Sequence, residues 1–171
     1  MNFFTHLECG KCGKTHSKDD VQNLCTACGK PLLARYDLER AKRELTKEEV
    51  MKRPPTMWRY KELLPVMHEE HIITLNEGFT PLIEAASLSK ELGCTNILVK
   101  DESVNPTGSF KARGICAAIS KAKELGIKGI TIPSAGYAAV ATSAYVGLAD
   151  IPVQVFMPQD TPRTCMDRCK S

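Results

Sequence analysis

Residues 96–114 read NILVKDESVNPTGSFKARG, and the order of features within them decides the fold. Asn96-Ile97-Leu98-Val99-Lys100 is a short apolar run, the pattern of a buried strand. Asn105-Pro106-Thr107-Gly108-Ser109 is a cluster of turn formers. From Ser109 to Leu125 apolar residues recur at i, i+3 and i+4, and Gly126 closes the helix they predict. Ser109 can cap its free N–H groups.

The same alternation continues outward. Gly129–Ile132 reads as a strand, Tyr137–Leu148 as an Ala-rich helix, and Val153–Phe156 as a third strand stopped by Pro158. Upstream, residues 85–92 read as a short helix with Gly93 as its stop. Strands separated by helices of this length predict an α/β fold with a parallel sheet. Residues 37–53, DLERAKRELTKEEVMKR, read as one connecting helix with Asp37 as N-cap and Pro54-Pro55 as terminator. Three segments follow: 1–35, rich in Cys and Gly; 36–70, a linker helix and lead-in; and 71–171, the α/β part. No partner helix is expected after the third strand, so the sheet reads as incomplete and the chain as cut short.

Composition excludes several classes. In 171 residues, 43% are hydrophobic and 25% charged, ordinary for a globular protein. No apolar run is long enough to cross a bilayer, and residues 1–8 lack the layout of a secretory signal, which points to the cytoplasm. A net charge of +3 is far from a dedicated nucleic-acid binder. Lys11, Lys14, Lys18 and Lys30 are offset by Glu8, Asp19 and Asp20, so nucleic acid is not an expected partner. Eight cysteines without a signal favour metal ligation over disulfides.

Four of them form a pattern. Cys9-x-x-Cys12-Gly and Cys25-x-x-Cys28-Gly are two copies of one knuckle, in which both thiolates reach one tetrahedral ion and the Gly tolerates the positive φ of the turn. Four thiolates with no open position predict a structural Zn2+ in a zinc ribbon. His6 and His16 lie outside the knuckles and read as surface residues. Cys94 falls in a turn, Cys116 on the apolar face of a helix, and Cys165 and Cys169 in a charged tail.

Lys111 falls in the first turn of its helix, at the C-terminal edge of a parallel sheet, where such sheets bind ligands. The helix dipole and partial burial both disfavour a charged amine there, which suits a lysine that condenses with an aldehyde. The dipole term is only about 0.3–1 kcal/mol, so desolvation must supply the rest. From spacing alone, a plain surface lysine is an equal reading.

Asn105–Gly114 (NPTGSFKARG) resembles the lysine motif of threonine synthase and its relatives, the fold-type-II pyridoxal-phosphate (PLP) enzymes related to the tryptophan synthase β subunit. Met57-Trp58-Arg59-Tyr60 with Glu62–Pro65, the run Asn76–Leu82, and Val99–Glu102 resemble other segments of that family in the same order. The cysteine pairs suit its zinc-ribbon subclass. The resemblance reaches about Pro162 and implies a partial three-layer PLP domain behind the ribbon. It implies that Lys111 carries PLP and moves protons, that Phe110 packs beside the cofactor, and that Ser134-Ala135-Gly136, with Thr80 nearby, receives the substrate carboxylate. It also implies O-phosphohomoserine as substrate, and leaves a homodimer open. Threonine dehydratase and cysteate synthase use the same lysine chemistry, and an inactive ribbon-bearing interaction module is a further alternative.

Two departures stand out. Tyr137 occupies the position where the family has an Asn that bonds the phenolic oxygen of PLP. The Gly-rich phosphate loop and the partner of the pyridine nitrogen belong to the family's second half, so weak PLP binding is expected of this chain.

Overall fold

The structure, a computed structural model, describes residues 2–170. Met1 and Ser171, the outer residues of the first and third segments, lie outside the described residues.

The N-terminal lobe is a three-stranded antiparallel sheet of β1 (Phe4–Cys9), β2 (Thr15–His16) and β3 (Leu32–Tyr36), in the order β2-β1-β3. Its two knuckle turns need glycine, because Gly13 and Gly29 have φ of 73° and 66°. The lobe is tied down by its first residues. Phe3 and Phe4 are buried, and the Asn2 amide donates to the carbonyls of Lys61, Leu64 and Val66.

Residues 37–53 form two helices where one was expected. Asp37 caps α1 (Leu38–Glu44), accepting from the Arg40 N–H at 2.9 Å. The chain restarts at Thr46, which begins α2 (Lys47–Met51) with a capping box closed by Glu49. The signal is Thr-x-x-Glu at 46–49, a helix start embedded in a helical run. Reciprocal side-chain caps there outweigh one more turn of a charged helix with little to bury.

The α/β part runs β4 (Leu82–Glu84), α3 (Ala86–Leu92), β5 (Leu98–Lys100), α4 (Lys111–Glu124), β6 (Ile130–Pro133), α5 (Tyr137–Ala149), β7 (Val153–Phe156) and α6 (Arg163–Arg168). Strands β6 and β7 are parallel, with Ile130 opposite Val153. Strand β5 corrects the single parallel sheet expected from sequence. It pairs antiparallel with β4, Leu82 opposite Lys100, and its side chains are exposed. Leu82–Glu84 is a partner close in sequence, and the Lys100 ammonium fastens the pair by donating to the Thr80 carbonyl. Helix α6 likewise stands where no helix was expected. Among the described residues no helix is long and apolar enough to cross a membrane.

The core lies between α4 and α5. Ala112, Cys116 and Ile119 of α4 meet Ala141, Tyr145 and Val146 of α5, with Trp58, Val66, Ile73 and Ile151 around them. Small alanines at the contact let the two helices approach closely.

At the centre of this apolar contact sits Glu77, with no exposed surface. Trp58 Nε1, Thr74 Oγ1 and the Cys116 thiol donate to its Oε1 at 3.0, 2.9 and 2.9 Å. The Leu75 N–H and the Tyr145 hydroxyl donate to Oε2 at 3.0 and 2.6 Å. Burial pushes this carboxyl upward, but the bonds from Cys116, Tyr145, Leu75 and Thr74 outweigh it and hold it below the ordinary carboxylate range. Burial, with the neighbouring carboxylate, pushes the Cys116 thiol and the Tyr145 phenol far up, so both remain protonated donors.

A carboxylate held by five donors is costly to disturb. Glu77→Gln keeps the shape but turns an NH2 toward a group that can only donate, the Trp58 Nε1–H on one side or the Leu75 N–H on the other, and is expected to cost about 2–4 kcal/mol in urea unfolding. Tyr145→Phe removes one donor of five and should cost about 1–2 kcal/mol. A larger loss from Tyr145→Phe than from Glu77→Gln would show that the carboxylate is not the hub.

Candidate functional site

The loop before α4 is held by a second acid. Glu102 takes a two-pronged ion pair from Arg113, with Nε to Oε2 at 2.6 Å and Nη2 to Oε1 at 2.8 Å. Thr80 Oγ1 donates to Oε1 at 2.5 Å, and Asn105 Nδ2 to Oε2 at 2.8 Å. The other end of the Asn105 amide accepts the Gly78 N–H at 3.0 Å. Three stretches quoted above, 76–82, 99–102 and 105–114, therefore meet on one carboxylate. The Arg113 hydrogen bonds, aided by those of Thr80 and Asn105, overcome desolvation and bring Glu102 down to about 2.

Inside the loop the backbone turns through two left-handed residues, Thr107 at φ 66° and Gly108 at φ 76°. The Gly108 N–H closes the turn on the Asn105 carbonyl at 2.9 Å. Thr107 carries a Cβ in a region that costs about 1–2 kcal/mol per residue, so its neighbours must hold it there.

Lys111 begins α4, its N–H reaching Ser109 Oγ at 3.3 Å. Lys111 is exposed, with Nζ 4.2 Å from the ring centroid of Phe110, a residue itself 57% exposed. The partial burial expected of this amine is not seen. Ala112 fills the inward position at the head of the helix and Arg113 the clamped one, which turns Lys111 outward beside a ring that shields one side only.

The loop 134–136 opens α5. Ser134 N donates to the Phe156 carbonyl, and Ser134 Oγ accepts the Gly136 N–H at 3.3 Å. Helix α5 starts without a side-chain cap, so its first turn presents backbone N–H groups. Tyr137 leans on the lysine loop. A Cβ on Gly108 would stand 3.6 Å from Tyr137 Cε1 and from Arg168 Nη2, and the Arg168 guanidinium lies 5.6 Å from the Tyr137 ring centroid.

Lys111, Phe110 and Tyr137 thus gather around one loop, beside the head of α5. Thr80 is placed differently from an open anion site: it is buried and its hydroxyl is engaged with Glu102 and Arg113. Sequence reading missed Glu77, Glu102, Asn105 and Arg113 as functional supports. The signal was their position inside the quoted motifs, next to residues singled out for chemistry.

The four knuckle cysteines converge, their sulfurs all within 4.8 Å of one another. Cys9 to Cys28, Cys12 to Cys25 and Cys28 to Cys12 are 3.4, 3.6 and 3.6 Å. A tetrahedral ion with bonds of about 2.3 Å to sulfur needs edges of about 3.8 Å, so the cage matches one ion. N–H groups of Cys12 and Lys11 point at the Cys9 sulfur and pull that thiol down to about 6. His6 and His16 sit on β1 and β2, outside this cage. Cys94 is exposed, and Cys116 is buried against Glu77.

Residues 73–171 match the family described as pyridoxal-phosphate dependent enzyme, and the chain belongs to that family. Within it, the chain is similar to threonine synthases. It is 40% identical to that of Methanocaldococcus jannaschii over 151 residues, 88% of this chain and 37% of that protein. It is 38% identical to that of Methanosarcina acetivorans over 153 residues, 90% and 37% of the two chains. For Halalkalibacterium halodurans the figures are 47% over 100 residues, 58% and 28%. The chain thus spans little more than a third of the first two relatives and less than a third of the last.

The residues present fit the cofactor that the family implies. An accessible amine, an aromatic face within 4.2 Å of it and an uncapped helix start nearby suit an aldehyde, a ring and an anion.

The Glu102 clamp carries a pH signature. Its folded pKa lies below its unfolded value, so its stabilisation is complete above about pH 5 and fades as pH falls toward about 2. Glu102→Gln is expected to lower the melting temperature at neutral pH, and its gap to the parent chain is expected to narrow steadily from about pH 5 toward about pH 2. A gap that stays constant across this range in thermal melts would remove the clamp from the account.

Proposed function

We propose that the chain is the lysine-bearing part of a threonine synthase of fold type II, converting O-phosphohomoserine to L-threonine and phosphate. The single observation that carries this reading is the exposed Lys111 amine at the head of α4, presented by a loop built from the family's own motifs. The similarity to three threonine synthases supports the choice among PLP enzymes. Cytoplasmic amino-acid biosynthesis is the setting it implies.

Bound PLP would supply an electron sink, which permits loss of the γ-phosphate and addition of water at the β-carbon. This chain's residues supply the rest. Lys111 holds the cofactor through its amine and, once released, carries protons as general acid and base. Phe110 packs beside the ring. Ser134-Ala135-Gly136 and the start of α5 receive the substrate carboxylate on backbone N–H groups. Thr80 acts through the lysine loop, its hydroxyl held between Glu102 and Arg113. Tyr137 offers a hydroxyl where the resemblance has an amide. Cys9, Cys12, Cys25 and Cys28 hold a structural Zn2+ in a ribbon, away from the chemistry.

Two outcomes are expected. Adding PLP to the chain should raise a visible absorption band that Lys111→Ala abolishes; a band of equal height in Lys111→Ala would place the cofactor elsewhere. Native mass spectrometry should find one zinc per chain. Cys12→Ser should lose it and unprotect the amides of β1–β3 in hydrogen exchange, while α4 and α5 keep their protection.

A further inference from the structure

Glu102, which precedes the loop, grips Arg113 on the helix that bears Lys111, and the geometry of the pair assigns it a task beyond holding the fold. Arg113 follows Lys111 by two residues, about 200° around the helix, so the two side chains leave on nearly opposite faces. Fixing one face of the first turn therefore fixes the direction of the other. Arg113 is bound at both prongs to Glu102, and Glu102 also binds Asn105, which starts the loop. Both ends of the strained Thr107–Gly108 turn are thus anchored to one carboxylate, with Lys111 just beyond it.

The anchorage has little slack. The N–H of Gly78 is held by Asn105, and a Cβ on Gly78 would stand 2.6 Å from Met57 N and 3.2 Å from Arg113 Nη1. Gly78 follows directly on Glu77, the buried hub of the core. Core, loop and helix head form one continuous set of contacts ending at Lys111.

We propose that Glu102 is a positioning residue for Lys111: through Arg113 and Asn105 it sets the orientation in which the amine meets an aldehyde. This rests on the reading of Lys111 as the cofactor lysine. Glu102 itself touches no reacting atom. Without it, Arg113 loses its fork, the Thr107 turn keeps only its bonds to Arg168 and, through Asn105, to Gly78, and Lys111 becomes one exposed lysine among many.

The test uses the full chain and PLP as probe, with borohydride trapping and peptide mass spectrometry to count the pyridoxyl group on every lysine. Other exposed lysines in the same sample, such as Lys47, Lys90 and Lys128, act as internal controls for general reactivity. In the parent chain Lys111 should be labelled in preference to these. In Glu102→Gln that preference should fall on the order of tenfold, as expected when a reacting group is misplaced. Glu102→Asp should recover part of it. Arg113→Lys keeps the charge but not the fork, and should fall between parent and Glu102→Gln; it carries the test if Glu102→Gln does not fold. An unchanged Lys111 preference in folded Glu102→Gln, or in Arg113→Lys, would overturn the positioning role while leaving Lys111 as the cofactor lysine. No preference for Lys111 in the parent chain would instead overturn that reading, and this inference with it.

Discussion

A carboxylate inside an apolar contact is tolerable only when its lone pairs are fully used, and Glu77 meets that condition. Its donors come from the lead-in segment (Trp58), the strap before it (Thr74, Leu75), α4 (Cys116) and α5 (Tyr145). No two of these elements are fixed to each other by a sheet, so the buried charge specifies how they meet. Apolar packing alone would allow α4 and α5 to slide along their small residues; five directed bonds do not. Gly78 follows for steric reasons, since any Cβ there would strike the Met57 backbone.

From Glu77 the order passes to Glu102 through Gly78 and Asn105. The first acid fixes the pair of helices, and the second fixes the loop that enters one of them. The two differ in setting: Glu77 is sealed, whereas Glu102 is half-buried and balanced by a guanidinium. The chain belongs to the pyridoxal-phosphate dependent enzyme family, and the loop this scaffold steadies leads directly into Lys111, the residue proposed above to hold the cofactor.

Much of this was legible from the residues. The Cys-x-x-Cys-Gly pairs marked the thiol cage because metal-ligand spacing is local. Gly93, Gly126 and Pro158 marked ends of elements because backbone restrictions are local too. Three things were harder to read. The partner of Leu98–Lys100 depended on whether Leu82–Glu84 would form a strand, and three residues give no usable periodicity. The break at Thr46 needed a capping box weighed against a continuous helical pattern. The roles of Glu77 and Glu102 depended on which donors the fold would bring to them, and an acid in a motif reads first as solvated or catalytic. Lys111 shows the converse: its place at a helix head was readable, but its exposure was decided by Ala112 and Arg113 taking the inward positions.

Glu77 must be ionised in the folded interior for its five donors to be satisfied, and the carboxyl 13C resonance of Glu77, followed by NMR as pH is lowered, tests this most directly. The expected result is a carboxylate shift throughout the usual range for glutamate, changing only where the fold itself is lost. A resonance that titrates within or above that range in the intact fold would mean a protonated, neutral Glu77, and would contradict the donor arrangement from which the rest follows.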